Sequence, residues 1–181
     1  RGLGDVYKRQ ILADARTSGT ATERLFSLER VFGREGSIDF QKKLHKNVQM
    51  YTKSGAWPAL RVGDGLAAAA MVYLPDALDI VQLGYPVTIS YPKEGVTFGI
   101  EVVSLVKGAK HPKEAKEFLD WATSPKLAEF LIKNKIRYVP TRTDVKVDDP
   151  VLDLKNIHML GVPLSEKGRL REPVSYTHLT L

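Results

Sequence analysis

The sequence predicts an α/β fold built on a mostly parallel sheet with flanking helices. Three observations predict it. Helix-like and strand-like segments alternate along the chain. Leu66–Val72 is an unbroken apolar run of strand length, as a strand covered on both faces requires. Helix starts rich in hydroxyl groups, glycine or proline follow the strand-like runs directly.

Each element has its own justification. The chain from Ile11 opens as a strand. Thr20 with Glu23 three residues on predicts a capping box, followed by an apolar stripe of Ala21, Leu25, Leu28 and Phe32 and a stop at Gly33. Ser37 is expected to cap a second helix with Phe40 and Leu44 inward, ending near Asn47. Val48–Tyr51 reads as a short strand. Ser54 is expected to cap a third helix containing Trp57, Leu60 and Arg61, before a turn at Gly63-Asp64-Gly65. After the apolar run, Pro75 suits the first position of a helix. Asp76 lies in its first turn, Ala77, Leu78 and Val81 on its inner face, and Gly84 at its stop. Val87–Tyr91 and Ile100–Val106 read as strands, separated by the breaker Pro92-Lys93-Glu94-Gly95. His111-Pro112 starts a helix to about Thr123, and Ser124-Pro125 caps another that ends at Asn134. Ile136–Val139 is a further strand expectation. Beyond Pro140 no regular structure is expected except a weak segment near Ile157–Leu160.

Composition bounds the function. Of 181 residues, 43% are hydrophobic and 27% charged, close to the globular average. With no cysteine there is no disulfide, no thiol nucleophile and no Cys-ligated zinc. The longest apolar run, Leu66–Leu74, is far short of the roughly 20 residues of a membrane span. The net charge is +6, and Arg1, Lys8 and Arg9 against Asp5 supply two of it, so the balance is too mild for a nucleic-acid footprint. Residues 1–10 and 173–181 fit no element period. Both stretches read as non-native ends, and no signal peptide is visible in the first of them.

Enzyme motifs are missing: no phosphate-binding P-loop, no dinucleotide fingerprint and no nucleophile elbow. His45, His111, His158 and His178 are scattered, so neither a metal site nor a Ser-His-Asp triad is expected, and no cofactor is called for. Three strand-to-helix turns carry the chemistry instead. The first holds Arg16, Thr17, Ser18, Gly19 and Thr20, where a helix start offers backbone N–H groups, hydroxyls and a guanidinium fork to an anion. An ordinary capping box with a surface arginine explains the same residues equally simply. The second turn holds Ser54 and Gly55, and the third Tyr73 and Asp76. If the three strands are neighbours, three helix N-termini meet at the carboxyl edge of one sheet, where ligands of open α/β sheets bind. Asp76 either contacts an ammonium or hydroxyl group there or complements its own helix dipole.

Six blocks carry a family resemblance. In order they are ILADARTSGTA, LHKNVQMYTKSG, AAAAMVYLPDAL, GYPVTISYPKEG, VKGAKHPKEAKEFLDWATSPKLAEFL and YVPTRTD. Over Ile11–Asp144 the chain resembles the extracytoplasmic solute-binding proteins of ABC importers, with the type 2 periplasmic-binding-protein fold. Within these it resembles the ferric-iron, 2-aminoethylphosphonate and sugar-phosphate branch. The resemblance implies one lobe plus the returning part of the other. Residues 11–92 would be ligand-binding lobe two, 93–98 the hinge crossing, and 99–172 the returning part of lobe one. The remainder of lobe one and a signal peptide would precede the chain, and Phe118, Leu119, Phe130 and Leu131 would then be partly exposed.

The implied ligand is a small anion: a phosphonate, an organophosphate or a ferric complex. Ferric-binding relatives carry adjacent tyrosines where this chain has Tyr73 followed by Leu74, which counts against ferric coordination. Organophosphate-type relatives read His-Asp where this chain has Pro75-Asp76, and tend to carry Glu at the place of Gly99. The implied partners are the solute and an inner-membrane ABC permease, with no nucleic acid, in a periplasmic or extracytoplasmic monomer. The ligand-sensing domain of a LysR-type transcription regulator shares the fold and stands as the alternative.

Overall fold

A computed structural model of the chain describes residues 9–134, 136, 139–148 and 157–161. They fall into two compact units. The first comprises the residues up to Phe98 together with 157–161. The second begins at Gly99 and runs through the described residues to Asp148.

The first unit is a three-stranded parallel sheet in which β1 (Gln10–Ala13) lies between β2 (Val48–Thr52) and β3 (Ala69–Met71). Leu12 pairs with Tyr51 on one side and Met71 on the other, and one register shift occurs between Gln10 and Ile11 against β2. Central position explains burial: Ile11, Leu12 and Ala13 are 2% exposed or less. Burying side chains of this size stabilises by about 1.5–3 kcal/mol each for the larger ones.

α1 (Gly19–His45) crosses from β1 to β2. It is two helices joined at Gly33, whose φ of 68° and ψ of 174° are not helical. Gly33 therefore stops the first helix, as expected. Before it, Ala21, Leu25, Phe26 and Leu28 are buried, whereas Phe32 turns outward and stacks on Phe40 at 5.3 Å across the kink. The capping box does not form. The N-cap is Ser18, without a side-chain cap bond, so Thr20 already lies inside the first turn. Ser37 is likewise no cap; its buried hydroxyl donates to the Arg34 carbonyl.

α2 (Trp57–Gly63) starts later than Ser54 predicts, with Ala56 at the N-cap and Pro58 in the first turn. It packs against β1 and β3. Asp64-Gly65 closes it, Gly65 adopting a φ of 72°. The apolar run yields only the short β3, with Leu66 58% exposed and Met71 38% exposed, so it is not covered on both faces. β3 is an edge strand, and among the described residues β1 alone pairs with it. α3 (Leu74–Gln82) has Pro75 and Asp76 in its first turn and Gly84 beyond its end at a φ of 82°. Its inner face uses Ile80 beside Leu78, not Val81, which is 41% exposed.

Val87–Tyr91 is not a strand, nor is Ile100–Val106. β-branched composition alone makes no strand; a partner with matching register does, and none pairs with them among the described residues. Ile136 and Val139 are likewise outside any strand, and residues 135, 137 and 138 between them lie outside the described residues. In place of a strand, Val96 forms an isolated parallel bridge with Met159, inside the weak segment expected at Ile157–Leu160.

The second unit holds α4 (Pro112–Ala122) and α5 (Pro125–Lys133), which pack on each other. Ser124 caps α5 by accepting from the Leu127 amide at 3.3 Å. Arg142 ties the following segment back, donating to the Thr123 carbonyl and forking onto Asp144 at 2.7 Å through both Nε and Nη2. That pair holds the exposed Asp144 carboxyl below its ordinary range, the hydrogen bond being the largest cause. No residue of either helix is buried. Phe118 and Phe130 are 56% and 55% exposed, and Leu119 and Leu131 are half-buried.

Candidate functional site

A parallel sheet sends all its strands out at one edge. The turns after β1, β2 and β3 therefore leave from the same carboxyl edge, and α1, α2 and α3 begin there. The first turns of such helices offer amides with no carbonyl ahead of them in the helix, and a partial positive charge.

The first two turns are joined directly. Asp14, just past β1, donates its amide to the Thr52 carbonyl at 2.9 Å, and its own carbonyl receives the Thr17 and Ser18 amides. The Thr17 hydroxyl donates to the Lys53 carbonyl at 3.3 Å. Thr52, buried, donates its hydroxyl to the Ser54 carbonyl at 2.7 Å and so shapes the second turn from within. The tightest contact is at Gly55. A Cβ there would lie 2.9 Å from Thr20 Cβ and 3.0 Å from Ser18 Oγ, and closer still to Thr20 Oγ1. Only a residue without a side chain lets the two turns sit this close.

Ser18, Thr20 and Gly55 are thus brought together, with Thr17, Gly19 and Ser54 exposed beside them. Ser18 is 8% exposed and Thr20 half-buried. The third turn is placed next to the first by the β1–β3 register. Tyr73 is the N-cap of α3 and 37% exposed; Asp76 is half-buried in its first turn.

Arg16 has a different place from the one its sequence context suggests. Its guanidinium forks onto Asp14, with Nε 3.0 and 3.1 Å from the two carboxylate oxygens and Nη2 on Oδ2. The hydrogen bond and charge of Asp14 raise the Arg16 pKa. The fork closes a local loop, since the Arg16 amide also donates to Asp14 Oδ1.

Two neighbouring groups escape sequence reasoning. Arg24 lies within the buried stripe of α1, donating Nη1 to the Ala13 carbonyl at 3.3 Å, while its buried Nε has no hydrogen-bond partner. Burial lowers its pKa; the charges of Tyr51 and Asp14 oppose that shift. The signal was present: position 24 falls on the face shared by Ala21, Leu25 and Leu28, where an arginine must reach back to the sheet. Tyr51 stacks on His45 at 5.7 Å, and the tyrosine hydroxyl and His45 Nδ1 are 3.0 Å apart. Burial raises the Tyr51 pKa, Arg24 pulling the other way. Among the described residues no group of three or more His, Asp or Glu is placed to hold a metal ion.

Parallel α/β sheets with such turns form a class in which ligands bind at the carboxyl edge of the strands. The comparisons narrow the class. Residues 14–157 match the bacterial extracellular solute-binding protein family, and the chain belongs to it. An uncharacterized protein of Haemophilus influenzae is 35% identical over 158 residues, spanning 87% of this chain and 46% of its own length.

Among solved structures, the periplasmic binding protein AfuA from Actinobacillus pleuropneumoniae, with exogenous fructose-6-phosphate bound, superposes with a TM-score of 0.82 at 28% identity. That match covers 95% of this chain and 55% of AfuA. The ferric binding protein from Campylobacter jejuni gives 0.74 at 20% identity, covering 96% of this chain and 59% of that one, a likeness of fold. The fold is thus that of the periplasmic binding proteins, and the chain spans about half the length of the relatives it matches.

Proposed function

We propose that this chain is part of the solute-binding component of an ABC importer and that its ligand is a small phosphorylated or phosphonate-bearing solute. In this reading Thr17, Ser18, Gly19, Thr20, Ser54 and Gly55 face the anionic group, and Tyr73 and Asp76 face the organic part. The observation that carries it is the Gly55 contact, which puts two hydroxyl-bearing turns side by side at the carboxyl edge of the sheet. The bound fructose-6-phosphate of AfuA supports the choice of a phosphate ester. Arg16 contributes through Asp14 in this arrangement, as a brace on the first turn and not as a cation open to the ligand.

Residues 11–92 form one lobe in this reading, 93–98 cross to the other, and 99–172 return part of it. The division of the chain at Phe98 supports the crossing. The protein works outside the cytoplasm, as a monomer delivering its solute to a permease and catalysing nothing.

Calorimetric titration of the whole protein with fructose 6-phosphate, 2-aminoethylphosphonate, inorganic phosphate and a ferric complex tests this. A phosphate ester or phosphonate is expected to bind most tightly. Ser18→Ala with Thr20→Ala is expected to weaken that binding by roughly 100- to 10,000-fold, the value of two lost hydrogen bonds to a charged group. Unchanged affinity in the double variant removes the site assignment; tight binding of the ferric complex alone removes the ligand class.

A further inference from the structure

Arg24 is a half-buried charge in the first unit with no part in the proposed ligand contacts. It lies on α1, past the first hydroxyl turn, and reaches back to the strand before that turn. Its Nη1 donates to the Ala13 carbonyl at 3.3 Å. The amide of the same peptide group, that of Asp14, donates to the Thr52 carbonyl at 2.9 Å. The Ala13–Asp14 peptide is therefore held at both poles, by α1 on its oxygen and by the end of β2 on its hydrogen.

This peptide is where the chain leaves β1. The next carbonyl, that of Asp14, accepts the Thr17 amide at 3.1 Å and the Ser18 amide at 2.9 Å. A peptide is a rigid plane and each residue has only two soft dihedrals. Fixing the Ala13–Asp14 plane therefore sets the direction in which the Asp14 carbonyl points and the turn departs.

The charge of Arg24 is placed differently from that of Arg16. Arg16 is exposed and forks onto Asp14. Arg24 has no carboxylate at ion-pair distance among the described residues, and its buried Nε has no hydrogen-bond partner. An arginine keeps its charge when buried, and salt screens a buried charge less than an exposed one. At this turn two guanidiniums, Arg16 and Arg24, stand against the carboxylate of Asp14. We propose that Arg24 is a positioning residue of the anion site: it fixes the peptide from which the first hydroxyl turn springs, and it leaves that turn with a net positive charge. The inference rests on the proposed function for the nature of the ligand; the brace itself does not need a ligand.

Hydrogen exchange of the ligand-free protein tests the brace. Arg24→Met, which keeps an apolar stem, is expected to speed the Asp14, Thr17 and Ser18 amides roughly 10- to 100-fold, the loss of one hydrogen bond from a charged group, while the Leu60 amide of α2 keeps its rate. Arg24→Lys, with a charge and a donor, is expected to restore most of the protection. Ultraviolet titration tests the charge: read against a Tyr51→Phe reference, Tyr51 is expected to titrate higher in Arg24→Gln than in Arg24→Lys. Calorimetry of the whole protein with fructose 6-phosphate is expected to show binding roughly tenfold weaker in Arg24→Gln than in Arg24→Lys, at low and at physiological salt alike. Unchanged exchange in Arg24→Met, or no recovery in Arg24→Lys, overturns the brace. Equal Tyr51 titration or equal affinity in the Gln and Lys variants overturns the charge. Wild-type protein that binds no phosphate-bearing probe removes the ligand class, and the exchange and tyrosine results then decide on Arg24 by themselves.

Discussion

At Gly55 one missing methyl group decides how two turns meet. Gly55→Ala is expected to cost about 2 kcal/mol, because Ser18 and Thr20 must both move to admit the Cβ. A denaturant titration reads this as a lower midpoint, and a wild-type midpoint refutes the close approach. Tyr51 gives a pH prediction. Its folded pKa is raised by burial, so its contribution to stability is present below the ordinary tyrosine value near 10 and is lost as pH rises through the folded value. Arg24 pulls that pKa down, so Arg24→Met is expected to raise it further. Ultraviolet difference titration of the tyrosines checks the direction, and a downward shift contradicts it. The hydroxyls at 17, 18 and 20 were legible because residue type alone announces them. The Arg16–Asp14 fork and the Gly55 contact were not, since both depend on how a turn folds back in three dimensions.

Helix boundaries show what local chemistry can and cannot specify. The stops at Gly33 and Gly84 and the start of α5 at Ser124 follow from residues that act within one turn. Ser124→Ala is expected to cost about 1 kcal/mol by removing the acceptor for the Leu127 amide. Circular dichroism during thermal unfolding is the check, and a cost near zero argues that the cap adds nothing. Gly33→Ala is expected to cost a further 1 kcal/mol or so, because a Cβ is disfavoured at its positive φ; an unchanged midpoint means that the two halves of α1 can fuse. The strands expected at Val87–Tyr91 and Ile100–Val106 fail for the complementary reason. Pairing is a property of two segments, and a single segment's pattern carries no information about its neighbour.

At the scale of the molecule, the alternation of helix and strand specified the parallel sheet, and the sequence blocks specified its kinship. The second unit leaves Phe118, Trp121 and Phe130 more than half exposed on helices with no buried residue. The relatives are about twice as long, so the reading in which the second unit is part of a fuller lobe one predicts that Trp121 is shielded in the whole protein. Iodide quenching of a Trp57→Phe variant measures it: strong in this chain, several-fold weaker in the whole protein. Equal quenching in both contradicts that reading.

β1 is the first strand among the described residues and the middle strand of its sheet. Both its pairings are parallel, so neither partner can reach it through a tight hairpin. One flank waits for Val48 and the other for Ala69, each at the far side of a long excursion. During synthesis Ile11 and Leu12 emerge from the ribosome ahead of both partner strands and find the second only after Met71 has cleared it. Until then this apolar strand keeps at least one open edge, and that interval is when this unit most needs protection from aggregation.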